Sequence, residues 1–163
     1  MSTTKNTEQK VNKGGFKRFI LLQLFLLYLI VLLYLCFFSE TFGRYSHEDV
    51  AINLIPFREI NRFFGNISSL GWEAFLINIF GNIAAFMPFG FFEAMFIKDG
   101  NIKKATVFSG FFSILIELMQ LLTRVGTCDI DDVILNTLGA LLGALIHKAI
   151  MGRFRVEGDN DGI

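Results

Sequence analysis

The residues of this sequence that are best suited to chemistry are acids and amides inside or beside two apolar runs between residues 115 and 145. Glu117 and Gln120 are three positions apart in the first run, so a helix places them on one face. After a short turn, a second set follows at steps of three, four, three and four, the spacing of one helical stripe: Asp129, Asp132, Asn136, Gly139 and Gly143. A carboxylate near the middle of a bilayer costs about 2.5–3.5 kcal/mol, so its presence there indicates a polar partner or a function.

These residues suit more than one chemistry. Asp129, Asp132 and Glu117 carry hard oxygen ligands, so a divalent cation is the one cofactor that the sequence allows. The same carboxylates suit a proton relay, or an acid/base pair acting on a substrate. They also suit plain contacts between helices, and an aspartate at a helix start is an ordinary N-cap. The sequence has no catalytic triad, phosphate loop or zinc spacing that we would defend, so catalytic residues stay unassigned.

Composition places these polar groups in a membrane protein. Of the 163 residues, 53% are hydrophobic and only 18% are charged, and Phe alone occurs 20 times. A soluble domain of this length has too small an interior to hide that much apolar area. The Lys and Arg residues form no basic stripe, so nucleic acid is not a predicted partner. We therefore predict an integral, all-α membrane protein whose first partner is the lipid bilayer.

Four apolar runs are long enough to cross a bilayer, and they divide the chain. We predict a four-transmembrane-helix bundle with spans at residues 19–38, 75–97, 105–123 and 133–151. The first run corresponds to about 30 Å of helix and no cleavage signal follows it, so it is predicted to be an uncleaved anchor. Residues 1–18 are predicted to form a disordered basic tail, residues 19–151 the membrane domain, and residues 152–163 a C-terminal tail.

The segment between the first two spans carries a short amphipathic pattern. Pro56 suits a first helical turn, and Phe57, Ile60, Phe63 and Phe64 then fall on one side. Two interpretations stay open: an amphipathic helix that lies in the membrane interface, or a segment packed over the end of the bundle.

Two helices also carry backbone signals for packing. In the second span, Pro88 removes a backbone donor, so we expect a kink or local unwinding there, helped by Gly90. In the fourth span, Gly139 and Gly143 are four positions apart, which is the spacing of a close-packing helix face. That face also suits a homo-oligomer.

Positive charge is distributed unevenly along the chain and predicts its topology. Eleven of the 15 Lys and Arg residues lie in the N-terminal tail, in the turn at 98–104 and at the C-terminal end. The other four are Arg44, Arg58, Arg62 and Arg124. The positive-inside rule then predicts a multi-pass protein of the plasma membrane with both termini cytoplasmic. The segment 39–72 and the turn at Asp129 face outward together in this arrangement.

Three blocks of polar and turn residues occur in a recognisable order. The first is Asn53-Leu-x-Pro56-Phe57, and the second is Asn82 with Pro88-Phe89-Gly90. The third runs from Glu117-x-x-Gln120 through Asp129-x-x-Asp132-x-x-x-Asn136 to Gly139 and Gly143. Together these blocks, within residues 50–146, resemble the VanZ-like family, whose namesake is associated with low-level teicoplanin resistance. The resemblance implies a multi-span protein of the bacterial cell envelope, and it implies no particular reaction.

The predicted function follows from bringing this polar set together near the outer membrane surface. The set consists of Glu117, Gln120, Asp129, Asp132, Asn136, Asn82 and Asn53. We expect it to engage an envelope component, such as a lipid-linked cell-wall precursor or a lipoglycopeptide, and so to lower susceptibility to drugs such as teicoplanin. The alternatives are a membrane enzyme that uses a carboxylate or metal site on a lipid-linked substrate, and a proton- or ion-coupled carrier. Whether the chain is an enzyme is left undecided.

Overall fold

The fold is almost entirely helical. The computed structural model of the chain describes residues 2–38, 52–97 and 100–160, and side chains within 15–38, 52–97 and 100–151. The elements in chain order are α1 (Ser2–Phe38), β1 (Ile52–Asn53), α2 (Arg58–Gly65), α3 (Ile67–Leu70), α4 (Trp72–Leu76), a π-helical segment (Ile77–Gly81), α5 (Asn82–Phe96), α6 (Ile102–Thr123), β2 (Cys128–Asp129) and α7 (Ile130–Asn160). We refer to residues 52–71 as the connector. Part of the segment predicted between the first two spans, at 39–51, lies outside the described residues.

Four helical stretches are long and apolar enough to cross a membrane. They are Gly15–Phe38, Trp72–Phe96, Ile102–Thr123 and Ile130–Met151. The second of these combines α4, the π-helical segment and α5 into one continuous span. This confirms the prediction of an all-α, four-span membrane bundle.

The two ends of the chain differ from the sequence prediction. Helix α1 begins at Ser2, although residues 1–18 were predicted to be a disordered tail, and α7 continues to Asn160 through the predicted C-terminal tail. Both extensions lack proline, and the N-terminal one contains several Lys residues with Glu8 and Gln9, which are good helix formers. A helix already formed by the adjacent span can therefore propagate into them at little cost.

Helices α5 and α7 pack unusually close together because glycines line their contact. A Cβ atom added at any of three glycines would lie within 2.2 Å of a backbone oxygen on the facing helix: Gly90 at Ala140, Gly139 at Ile83, and Gly143 at Met87. No side chain larger than hydrogen fits there unless the helices move apart. Small residues are what allow transmembrane backbones to approach this closely.

The second span departs from α-helical geometry before Asn82 and not at Pro88, where the sequence predicted a departure. Helix α5 is helical through Pro88, so the helix does not unwind at that residue, and the alternative of a kink there stays a prediction. The π-helical turn instead lies at Ile77–Gly81, directly before Asn82. Near Pro88, the hydroxyl of Tyr28 in α1 donates to the carbonyl oxygen of Ala85 at 2.6 Å, which gives α1 a polar contact with α5. Such π-helical turns are frequent next to functional residues.

Helix α1 lies at the edge of the bundle. Among its described side chains only Leu32 is buried, in a cluster with Phe86, Phe89 and Ile116. Most of its other apolar side chains are exposed and suit contact with lipid.

The glycine contact between α5 and α7 gives the first testable prediction. Substitution Gly143→Ala should destabilise the protein by about 1–3 kcal/mol, because the new methyl group would meet the backbone of Met87 and push the helices apart. Thermal unfolding of the purified protein in detergent measures this. The control is Gly15→Ala, since nothing lies within 4 Å of a Cβ at that position. Equal melting temperatures for the two variants would contradict the close approach of α5 and α7.

Candidate functional site

The connector and the turn before α7 meet at one end of the bundle. Strands β1 and β2 pair in parallel, with Ile52 opposite Cys128 and Asn53 opposite Asp129. This pairing places the predicted acidic turn directly beside the segment that precedes the second span. The candidate site is therefore built from residues that are 76 positions apart in the sequence.

Asp129 is the centre of the hydrogen bonds at this end. Its Oδ1 accepts from the side-chain amide of Asn53 at 3.0 Å and from the backbone N–H of Asp131 at 2.9 Å. Because Asp129 directly precedes the first residue of α7, the second bond is that of an N-cap. Its own backbone N–H donates to Oε2 of Glu117 in α6 at 2.8 Å. One residue thus joins the connector, α6 and α7.

A second aspartate, Asp131, holds the start of the short connector helix α2. Its Oδ1 accepts from the backbone N–H of Phe57 at 2.5 Å, and its Oδ2 accepts from those of Glu59 at 2.8 Å and Ile60 at 3.1 Å. The side chain is 1% exposed. The first N–H groups of a helix have no partner within the helix, and a carboxylate there is also favoured by the helix dipole. Asp131 therefore acts as the missing cap of α2, supplied from α7.

Sequence reasoning missed Asp131 because it falls off the helical stripe. The stripe selects Asp129 and Asp132, whereas Asp131 points from the start of α7 towards the connector. One signal was available. Phe57, which precedes α2, has no side-chain acceptor and lies in the left-handed region at φ 65°, so the first N–H groups of that helix need an acceptor from elsewhere in the chain.

The remaining predicted residues form contacts further along the same helices. The amide of Asn82 donates to Oδ1 of Asp132 at 2.7 Å, that of Asn136 to Oγ of Ser113 at 2.9 Å, and that of Gln120 to the backbone oxygen of Cys36 at 2.8 Å. These bonds join α7 to α5, α7 to α6, and α6 to α1. The structure thus links Asn53, Asp129 and Glu117 directly, whereas Asn82, Asp132, Asn136 and Gln120 take part in three separate pairs between helices.

The connector helix packs over the end of the bundle with part of its apolar face. Phe63 is buried in a cluster with Phe75, Ile79 and Leu135, and Ile60 packs against that cluster. Phe57 and Phe64 remain more than half exposed. Of the two interpretations of this helix, packing over the bundle end accounts for Phe63, while the exposed side chains remain available for the membrane interface or for a ligand.

Burial also changes the acidity of groups at this end. Desolvation by burial, followed by the charge of Asp131, raises the pKa of Asp129, and the hydrogen bonds from Asp131 and Asn53 oppose that rise. Desolvation and the nearby Glu117 raise the pKa of the Cys128 thiol. Among the described residues, no group of three His, Cys, Asp or Glu side chains is arranged to hold a metal ion. In the bonds given above, the carboxylate oxygens accept from backbone N–H and amide groups.

Comparison with known proteins shows the family of the chain. The model of the family described as VanZ/LLP1 matches residues 25–151, which include all or most of each span and the connector. The chain belongs to the VanZ/LLP1 family. It is 27% identical over 124 residues to Protein VanZ of Enterococcus faecium, an alignment that covers 74% of this chain and 69% of that protein. No solved structure matches the chain.

The raised pKa of Asp129 predicts a pH dependence of stability. A carboxyl whose folded pKa exceeds its unfolded value, ordinarily 3.8, stays protonated longer in the folded state. The stability that this carboxyl contributes is therefore fully present below pH 3.8 and is lost as the pH rises through the folded pKa. Substitution Asp129→Asn should flatten this part of the pH profile, because the amide cannot ionise and still offers an acceptor. Chemical unfolding at a series of pH values from about 3.5 to about 7, a range that begins near the usual carboxyl pKa, measures how the free energy of unfolding changes with pH.

The control for this prediction is Glu73→Gln, which removes an exposed carboxylate at the start of α4. That variant should keep the slope of the wild-type profile. An unchanged slope in Asp129→Asn would contradict a carboxyl with a raised pKa at this position.

The contacts of Asp131 predict a local effect on the connector. Substitution Asp131→Asn replaces one acceptor oxygen by an NH2 group that faces backbone donors. Leaving such a buried donor unpaired costs about 1–3 kcal/mol. The amides of Phe57, Glu59 and Ile60 should therefore exchange with deuterium about tenfold faster or more. Exchange measured by mass spectrometry tests this, with Glu73→Gln as the control. Unchanged exchange over these residues would show that Asp131 is not the cap of α2.

Proposed function

We propose that the connector end of this VanZ-family protein binds a lipid-linked component of the bacterial cell envelope and thereby lowers susceptibility to lipoglycopeptides such as teicoplanin. The proposal is supported by an exposed apolar surface, the connector patch, which consists of Leu54, Ile55, Phe57 and Phe64. All four side chains are more than half exposed. An apolar patch beside polar groups suits an amphiphilic ligand that has a hydrocarbon tail and a polar head.

The observation that carries the proposal is the attachment of the connector to α7 by Asp131. The three backbone N–H groups of the connector that donate to this carboxylate fix the backbone directly beneath the patch. The pairing of β1 with β2 also holds the connector backbone, at the residues that precede the patch. A surface that is ordered before binding loses less conformational entropy when a ligand arrives than a mobile loop does. The buried acids then act by holding the patch rather than by contacting the ligand.

The charge bias of the sequence supports the orientation that this function needs. Both termini and the turn at 98–104 are rich in Lys and Arg, so the positive-inside rule assigns them to the cytoplasmic side. The connector end then faces outward, where lipid-linked wall precursors and the lipid tails of the drugs are found. A ligand could reach the patch from the outer leaflet without crossing the bilayer.

The alternatives with an enzyme or a carrier have less support in the described residues. Asp129 has the raised pKa of a potential acid or base, but it is only 6% exposed and its Oδ1 already accepts two hydrogen bonds. A divalent cation in this region remains a proposal that metal titration of the purified protein can test. Binding through the connector patch accounts for both the buried acids and the exposed apolar residues.

The test of this function removes the patch and leaves the buried network intact. The double variant Leu54→Ser with Ile55→Ser should shift teicoplanin susceptibility towards that of cells with the empty vector, at unchanged abundance in the membrane. Exposed apolar side chains contribute to a ligand contact but little to stability. Teicoplanin inhibitory concentration and immunoblots of membrane fractions, recorded on the same cultures, measure both quantities.

The matched control is Leu118→Ser with Leu122→Ser, which removes two exposed leucines from α6 outside the patch. That pair should keep the wild-type protection. Full protection by the connector variant would contradict binding through the patch. A wild type that protects no better than the empty vector would contradict the role in teicoplanin susceptibility.

A further inference from the structure

A separate cavity lies at the opposite end of the bundle from the connector. It has a volume of about 530 Å³ and opens between the start of α1, the end of α5, the turn at Gly100 and the end of α7. Nothing in the proposed function uses this cavity, since the connector patch is at the other end of all four spans. The lining of the cavity includes basic side chains, unlike the apolar connector patch, so the two surfaces suit different ligands.

Two nitrogen-bearing side chains line this cavity. His147 of α7 is 7% exposed, and its Nδ1 is buried without a hydrogen-bond partner. The ring packs edge-on against Phe91 at 5.3 Å between centroids, which holds its orientation. Arg18 of α1 also lines the cavity, and the one salt bridge among the described side chains, between Arg62 and Glu59, does not involve it. No acidic side chain is among the described residues that line the cavity.

Of the buried side chains with an unpartnered polar atom among the described residues, His147 is the one that lines this cavity, so a ligand there can supply the missing hydrogen bond. Leaving such a group without a hydrogen bond costs about 1–3 kcal/mol, so a ligand that supplies an acceptor recovers that loss. A cation at the cavity mouth, with no carboxylate among the described lining residues to neutralise it, selects for a negatively charged acceptor. With the ring proton on Nδ1, His147 and Arg18 together present donors to an anionic oxygen.

The depth of the cavity matches the boundary between lipid headgroups and acyl chains. Arg18 lies three residues into the span that begins at Gly15, while Phe96 and Met151 are the last residues of their spans. Arg side chains near span ends reach the polar interface while their stems stay in apolar surroundings. The rest of the lining is largely apolar and includes Leu21, Phe96 and Met151. The cavity therefore offers donors for a charged head and an apolar wall for a chain.

We propose that this cavity binds an anionic phospholipid, with Arg18 and Nδ1 of His147 contacting the phosphate and an acyl chain lying along Leu21, Phe96 and Met151. Basic pockets between transmembrane helices are known to hold anionic headgroups in this way. A neutral lipid such as diacylglycerol offers Arg18 and His147 no negatively charged acceptor. Free phosphate leaves the apolar wall unused.

The experiment titrates the full chain in detergent with fluorescent phosphatidylglycerol, and with diacylglycerol and inorganic phosphate as competitors. Phosphatidylglycerol should bind more tightly than diacylglycerol, and inorganic phosphate at equal concentration should not displace it. Substitution Arg18→Gln should weaken phosphatidylglycerol binding about fivefold. His147→Gln should weaken it about tenfold or more, because a hydrogen bond to a charged group is lost.

The control is Lys148→Gln, which removes an exposed cation next to His147 that does not line the cavity. This variant should bind phosphatidylglycerol as the wild type does. Arg18 is exposed, so Arg18→Gln keeps the test valid even if His147→Gln fails to fold. Three results would overturn the proposal: equal affinity for diacylglycerol, displacement by inorganic phosphate, or equal weakening by Lys148→Gln and Arg18→Gln. The first means apolar binding alone, the second a free-anion site, and the third general surface charge.

Discussion

The connector of this protein depends on hydrogen-bond acceptors that it does not contain. Helix α2 starts after Phe57 without a capping side chain of its own, so its first N–H groups need an acceptor from another part of the fold. Asp131 at the start of α7 provides two carboxylate oxygens for three of these donors. An unpaired backbone group shielded from water is costly, so this carboxylate holds the connector in place together with the β1–β2 pairing and the burial of Phe63. The position of the exposed apolar patch follows from it.

The glycine contact between α5 and α7 is the second constraint, and it sets the geometry of the polar residues. Gly139 and Gly143 let α7 approach α5 until backbones touch, and about two helical turns before Gly139 the side chain of Asp132 lies 2.7 Å from the amide of Asn82. A wider separation would break this bond and leave both groups inside an apolar environment. Close packing and polar pairing therefore support each other. The same small residues that tighten the helix pair also make its hydrogen bonds reachable.

The sequence predicted the elements that have a strong periodic signal. Four spans follow from long apolar runs, and the stripe from Asp129 to Gly143 follows from its helical spacing, because both patterns are local. Asp131 could not be found in this way, since its partners are backbone groups more than 70 positions away and backbone donors leave no mark in a stripe. The position of the π-helical turn was also unpredictable. Pro88 marks a missing N–H, but the packing of the whole span decides where the helix rearranges, and that happens at Ile77–Gly81.

The two ends of the bundle differ in how their polar side chains are paired. At the connector end, the carboxylates of Asp129, Asp131 and Glu117 accept hydrogen bonds from the chain itself, while one amide oxygen each of Gln120 and Asn136 is buried without a partner. At the other end, Nδ1 of His147 is buried without a partner and Arg18 has no carboxylate beside it among the described side chains. His147 and Arg18 differ from those two amides because they line a cavity, and this is where we propose that a ligand supplies the acceptor. This contrast is the reason to look for two different amphiphiles, one at each surface of the membrane. Under the proposed function, a change to Glu117 would act through the turn at Asp129 that it holds, whereas a change to the connector patch would act on the ligand directly.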